Sequence, residues 1–481
     1  MLKLNREKVY DKIYACWVGK NIGGTLGTPF EGKREINDCT GFTSEPGNPL
    51  PNDDLDLQLI WLKAMREVGP QNLNSRILGT YWLEYITPWW NEYGISKANM
   101  KNGLMPPVSG GYDNYWKHSN GAWIRTEVWA TLFPGDVEMA VKFAFEDASV
   151  DHGMGDGTYA AVFVAAMESA AFVIDDPREL IKIGLSNIPE DCRFAKYINT
   201  AVECYDSGMT WKESREKIAK MSLDDPELGW FQAPGNVAYA VIGLLYGDGD
   251  FKKSLLIACN CGDDTDCTCA TLGSLLGIMK GQEIIPDDWR EYIGDAIITN
   301  CINIPSANST QRSLKIPQTC TEFSEDIIDT LPMTLTTRPV KLVDGDNETD
   351  DEVIAKFYGD KLDLSKKSEY FLAYESVLAK YVVDFDSEPT VSPFAEKKIK
   401  LTIKNKRSAQ KNFICNWILP EGWSVSGKQT VFLRDSHYGE PVSSEFVLTV
   451  GEKTEPKNRV ILEITCDGQQ EIMLIPILFI G

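Results

Sequence analysis

Two short acidic runs have the residue types and spacing to do chemistry. "PNDDLDLQL" brings Asn52, Asp53, Asp54 and Asp56 to the start of one apolar helical pattern, and "NCGDDTDCTCATLGSLLG" brings Asp263, Asp264 and Asp266 to the start of another. Carboxylates at i and i+2 in a first helical turn converge on one hard cation, and their charge suits the helix dipole there. Taken alone, either run also reads as an acidic N-cap. Three carboxylates in the first exceed what a cap requires, and two such runs face to face would repel without cations between them, which is the arrangement of a binuclear oxygen-ligand site. The second run carries a rival donor set, because Cys259, Cys261, Cys267 and Cys269 form C-x-C-x5-C-x-C. Structural zinc ligands come as C-x2-C knuckles, and here one pair falls inside a helix, so the oxygens are the favoured ligands.

The elements that must position these acids are helical. From Glu7 to about Cys301, runs such as "LDLQLIWLKAMREV", "TYAAVFVAAMESAAFVI" and "GNVAYAVIGLLY" place apolar residues three and four apart, and some are apolar nearly all round, as in an all-α core. "YITPWWNEYG" and "PPVSGGYDNYW" interrupt them as loops. From about Tyr370 the period becomes two: "KKIKLTIKN", "NFICNWILP", "QTVFLRD", "SSEFVLTVG", "NRVILEITC" and "EIMLIPILFI" predict an antiparallel immunoglobulin-like sandwich. The division is an all-α catalytic domain over 1–305, a proline- and acid-punctuated connector over 306–369, and an all-β domain over 370–481.

Length and charge narrow the function. A chain of 481 residues exceeds the size at which one core stops growing. Seventy acidic against 48 basic residues give a net charge of −22, which repels polymeric nucleic acid. No apolar run reaches the roughly eighteen residues that span a bilayer, and the N-terminus has no signal-peptide core. The expectation is a soluble, cytoplasmic protein with no membrane partner, its twelve cysteines free thiols in a reducing compartment.

These residues carry a resemblance to the ADP-ribosylglycohydrolase family. The last signature of that family, Gly-Asp-x-Asp-Thr leading into an Ala/Gly-rich helix and then Ile-Pro and Trp, is similar to "GDDTDCTCATLGSLLGIMKGQEIIPDDW", with Gly273, Gly277, Gly281, Pro286 and Trp289 in place. "GKNIGGTLGTPFEG" resembles the opening Gly-x3-Gly-Asp-x2-Gly-x-Pro-x-Glu, "NDDLDLQL" resembles Thr-Asp-Asp-Thr, "SNGAWIRTEVWATLFPGD" resembles Gly-Asn-Gly-x2-Arg, and "VDHGMGDGTYAA" resembles the Thr-His segment. The five appear in the family's order over roughly Glu7 to Asn300.

The resemblance implies a magnesium-dependent glycosyl hydrolase, with two ions inside an all-α bundle. By that likeness Asp53, Asp54, Asp264 and Asp266 are metal ligands, joined by Asn52 and Cys267 at positions where the family has threonine. Glu31 matches the glutamate that manages a proton, with Asp53 and Asp54 beside it in catalysis, and Asn120, Gly121, Arg125 and His152 match the segments that cradle sugar or phosphate. There are departures: Gly24 replaces an aspartate, Asn52 and Leu55 replace the threonines of the first acid pair, and Cys267 is a soft ligand that suits magnesium poorly. Asp56 or Asp263 is a candidate to make up the second metal's shell. The expected substrate is an ADP-ribosylated or related small glycoside cut at a ribose-like furanose. A carbohydrate or nucleoside substrate, and a non-catalytic descendant that binds ADP-ribose or a sugar, are the alternatives. Lone histidines such as His118, His152 and His437 also read as scaffold, and Trp89, Trp90, Tyr112, Tyr115, Trp116 and Trp123 read as core or as a stacking platform.

Overall fold

The structure is a computed structural model that describes residues 1–309, 314–407, 409–433 and 440–481. His437 and the last two residues of "QTVFLRD", Arg434 and Asp435, lie outside the described residues.

Two helices form the spine of the helical region, Arg6–Gly27 and Thr265–Lys280. The first is capped by Asn5, whose side chain accepts from the Lys8 amide at 2.9 Å. Its glycines at 19, 23 and 27 face the backbone of Gly273, Cys269 and Thr265, so that a Cβ at any of the three would strike main chain. Only glycine permits this approach, and it brings the end of one helix beside the start of the other. Thr28–Glu31 therefore emerges next to Asp264 and Asp266.

The third acid-bearing element, Asp53–Val68, is capped by Asn52, whose Oδ1 accepts from the Asp54 amide at 2.8 Å. Its residues Leu55 to Met65 are buried, and Trp61 packs on Trp82 with ring centroids 5.7 Å apart. Phe251–Cys261 leads to the signature helix through Gly262, whose φ of 80° a side chain would strain.

The 306–369 stretch carries its own structure. Cys320–Thr334 is helical, and its Phe323, Ile327 and Leu331 are buried in the helical core, with Phe323 stacked on Trp17 at 4.2 Å. Strand Val340–Val343 pairs in parallel with Leu2–Asn5, Leu2 opposite Val340. The two ends of the helical region are thus tied together by main-chain hydrogen bonds.

From Phe371 onward the chain forms two antiparallel sheets. Five strands run in the order Phe371–Glu375, Ala379–Asp384, Glu396–Asn405, Pro441–Thr449 and Ser424–Gly427; four run in the order Ile472–Ile480, Lys457–Cys466, Lys411–Ile418 and Thr430–Leu433. Alternation along Glu396–Asn405 turns Ile399, Leu401 and Ile403 inward against Val460, Leu462 and Ile464 of the other sheet. Leu104 and Val108 of the helical region join this core, so the sandwich supports the loop after residue 102. No helix among the described residues is long and apolar enough to cross a membrane.

Candidate active site

The ends of the three acid-bearing or glycine-faced helices open on a cavity of about 400 Å³. Glu31, Asp53, Glu92, Asp264, Asp266 and Cys267 line it, with Ser119, Asn120 and Gly121 on one wall and Trp90 and Phe231 among its aromatic residues.

Asp264, Asp266 and Cys267 each offer a ligand atom, and these atoms lie within 4.8 Å of one another. Asp264 is held from two sides: its Oδ2 accepts from Asn120 Nδ2 at 2.6 Å, and its amide donates to Asn236 Oδ1 at 3.1 Å. Oδ1 of Asp264 and Oδ1 of Asp266 are buried and accept no hydrogen bond from the protein. Orphaned buried carboxylate oxygens are costly, and a divalent cation satisfies them, so this donor set fits a hard metal ion. The charge of Asp266, then burial, then Asp53 push the Glu31 carboxyl up to about 7. Burial first, then Asp266, pushes Asp53 up to about 6, against a hydrogen bond from Tyr93 Oη at 3.1 Å.

The structure separates the first acid pair. Asp53 faces the cavity, whereas Asp54 is fully buried behind it, 3.6 Å from Lys20 Nζ. Lys20 is itself buried and bonds Glu127 Oε1 at 2.6 Å and the Ile124 carbonyl at 2.5 Å. Cys267 joins the two layers, since it lines the cavity while its thiol donates to Asp54 Oδ1 at 3.5 Å. Asn52 caps its helix and its Nδ2 has no partner, lying over Gly24. Asp56 accepts the amides of Asn300 and Cys301 at 2.7 and 2.6 Å, and Asp263 faces Arg34 and the Phe231 amide, so both of these extra acids have other partners.

Of the matched cradle residues, Asn120 and Gly121 line the cavity, and Arg125 and His152 stand behind it. Asn120 is committed on both sides, to Asp264 and to the Trp123 indole N–H at 2.9 Å. Arg125 is fully buried, paired with Asp147 and Asp151 at 3.1 and 2.8 Å, and donates to the Gly121 carbonyl. His152 lies with Nδ1 3.0 Å from Asp151 and Nε2 3.1 Å from Ser119 Oγ, behind the wall that Ser119 contributes. His118 is turned to Asp156 at 2.8 Å. Cys259, Cys261 and Cys269 are buried and stand outside the metal-holding group found among the described residues.

Glu92, Tyr93, Ser119 and Phe231 are among the lining residues that the sequence analysis did not single out. Glu92 lies two residues after Trp90, and the pairing of an aromatic loop with a carboxylate was the available signal. Phe231 adopts φ 57°, a left-handed conformation rare for a bulky side chain and frequent at functional sites.

The sequence profile of the ADP-ribosylglycohydrolase family matches residues 5–312. The chain belongs to that family. Family membership supports a glycosyl hydrolase, and the buried acids and thiol meet its usual dependence on a divalent metal. Among relatives, an uncharacterized protein of Archaeoglobus fulgidus is 23% identical over 300 residues, covering 59% of this chain and 92% of its own. ADP-ribosylarginine hydrolase Tri1 of Serratia proteamaculans is 19% identical over 295 residues, 59% of this chain and 75% of its own. A solved ADP-ribosylglycohydrolase-related protein complex is 19% identical at a TM-score of 0.46, covering 68% of this chain and 99% of that one. The ADP-ribosylglycohydrolase match ends before the sandwich.

Proposed function

We propose that the protein is a magnesium-dependent hydrolase that cuts a glycosidic bond at a ribose-like furanose of an ADP-ribosylated or related small glycoside, in the cytoplasm. The observation that supports it most is the pair of buried, unpartnered oxygens of Asp264 and Asp266 in one cavity with Glu31. Asp264, Asp266 and Asp53 would hold the divalent ions, with Cys267 the soft member of the set. A bound divalent cation supplies positive charge that polarises sugar oxygens and eases ionisation of water.

The chain's own residues do the rest. Glu31, raised to about 7, is suited to give a proton to the leaving group or to take one from water near neutral pH. Asn120 orients Asp264, Tyr93 orients Asp53, and the buried Lys20 with Glu127 and Asp54 holds the layer behind them. Arg125 fixes the Gly121 carbonyl, and thereby the loop on which a sugar would rest. The sandwich acts as a buttress through Leu104 and Val108.

The test is a substrate panel with magnesium present: an ADP-ribosylarginine peptide, O-acetyl-ADP-ribose, nucleosides and nitrophenyl furanosides. Turnover of one member, abolished by chelation and restored by magnesium, is expected. Tight binding of an intact member with no turnover on long incubation would instead make the protein a binding descendant.

A further inference from the structure

Resting on the reading above, we propose that the mouth of this cavity is a docking surface for a basic polypeptide, so that the ADP-ribosyl group to be removed is one carried on an Arg- or Lys-rich segment. Four aromatic side chains carry the proposal. Trp89, Trp90, Tyr115 and Trp230 are 52%, 50%, 58% and 46% exposed, and among the described residues no other Trp or Tyr is exposed. They gather at one opening. Trp90 lines the cavity and Trp89 precedes it. Trp230 lies beside the lining residue Phe231, with ring centroids 6.2 Å apart. A Cβ at Gly229 would come within 3.3 Å of the Tyr115 hydroxyl, which brings the Tyr115 segment to the same edge, and an antiparallel bridge between Ser119 and Gln232 holds these two segments together.

Clustered exposed tryptophans mark interaction surfaces, and Trp and Tyr are the side chains that dominate recognition of a polypeptide. The backbone enforces their display: Asn91 and Phe231, which follow Trp90 and Trp230, adopt φ 44° and 57°, left-handed conformations that persist where surrounding structure imposes them. Charge selects the partner. Lys97 and Lys101 lie 4.6 and 4.4 Å from the Trp89 ring centre, and Arg34 lies 5.0 Å from that of Trp230, so these rings already take cations on their π faces while about half of each side chain stays open to solvent. Exposed acids stand on the same segments, Glu84 before Trp89, Asp113 before Tyr115, and Asp224 and Glu227 before Trp230, with Glu227 bound to Arg193 at 2.7 Å. Of the nearby cations, Arg34 is paired with Asp263 and Lys117 with Glu369, each at 3.4 Å. In a chain of net charge −22, a guanidinium or ammonium group meets both an aromatic face and a carboxylate here, whereas an acidic segment is repelled.

The test is binding of labelled probes to the full chain with magnesium present, in about 0.15 M salt so that loose attraction to a negative surface is screened. Fluorescence anisotropy compares a peptide of alternating Arg and Gly, a peptide of alternating Glu and Gly, and a neutral glucose oligomer of similar length. None of the three carries ribose, so turnover does not enter the measurement. The Arg-Gly peptide alone should bind. Trp89→Ala and Trp230→Ala should each weaken it by about tenfold, and Trp230→Phe, which keeps a π face, by less. Thermal melting reports the fold of each variant. Binding that both alanine variants leave unchanged is charge attraction alone and overturns the proposal, as does no binding of the Arg-Gly peptide, or tighter binding of the Glu-Gly peptide or the glucose oligomer. Hydrolysis of an ADP-ribosylated Arg-Gly peptide is scored separately: its absence bears on the proposed reaction, and the affinity of the unmodified peptide bears on the aromatic rim.

Discussion

The side chain of Asn52 fills the space beside Gly24: a Cβ added at Gly24 would collide with Asn52 Nδ2. Gly24 and Asn52, two positions at which the sequence departs from the pattern it resembles, therefore share one space at the interface of the first two site helices. The cap is kept, since Asn52 Oδ1 still accepts from the Asp54 amide at 2.8 Å.

This coupling is measurable. Gly24→Asp alone should destabilise by about 2 kcal/mol through overpacking, and Asn52→Thr alone by less than about 1 kcal/mol because threonine also caps helices. The double variant should recover most of the loss, giving a coupling of at least about 1 kcal/mol in urea unfolding. Additive losses would show that the two positions do not share the space.

Lys20 is the buried cation behind the cavity, 2.6 Å from Glu127 and 3.6 Å from Asp54, with the Glu168 charge also felt there. Lys20→Met leaves buried carboxylates without a counter-charge and should cost about 3–5 kcal/mol in denaturant unfolding. A loss below about 1 kcal/mol would mean the acids are held neutral without it.

How much of this was legible in the sequence depends on the range of the interaction. The glycine spacing at 19, 23 and 27 and the acids before Thr265 are local signals, and the structure brings them to one place because helix contact follows from the glycines. Which of two adjacent acids faces the cavity is set by helix rotation, about 100° per residue, and the partner that turns Asp54 away is Lys20 on another helix. Arg125 reads as an anion ligand until Asp147 and Asp151 are seen beside it. In 306–369, prolines and acids mask the apolar spacing of Phe323, Ile327 and Leu331, which tertiary packing makes into a core helix. The strand alternation after Phe371 was plain because one face of each sheet is buried.

Without metal the protein should lose stability as pH rises from about 4 to about 7. Unfolded carboxylates ionise near pH 4, while burial holds Asp56 protonated up to about 7 and Asp53 up to about 6, and the Asp266 charge holds Glu31 up to about 7. The folded state thus binds more protons across that window, and stability falls with rising pH. Melting in chelator at about pH 5 should exceed melting at about pH 8, and saturating magnesium should narrow the difference. A flat or opposite trend in chelator would contradict the buried-acid description.

Cys267 lines the cavity and its thiol also reaches Asp54 at 3.5 Å. Cys267→Thr should replace a soft donor with a hard one and lower the magnesium concentration for half-maximal rate by several-fold, roughly 1 kcal/mol of metal affinity. Superimposable magnesium titrations would assign the cysteine to packing.

The central claim is that Asp264 and Asp266 hold the catalytic cation in this cavity. Calorimetric magnesium titration and hydrolysis of a nitrophenyl furanoside, on the same samples of wild type and Asp264→Asn, test it together. Wild type should bind magnesium with turnover rising along the same curve. Asp264→Asn should lose both by about 100-fold or more, yet melt at the same or a higher temperature in chelator, since one repelling carboxylate has gone. Turnover by wild type that survives chelation, or an Asp264→Asn variant that binds magnesium and turns over at the wild-type rate, would contradict the account.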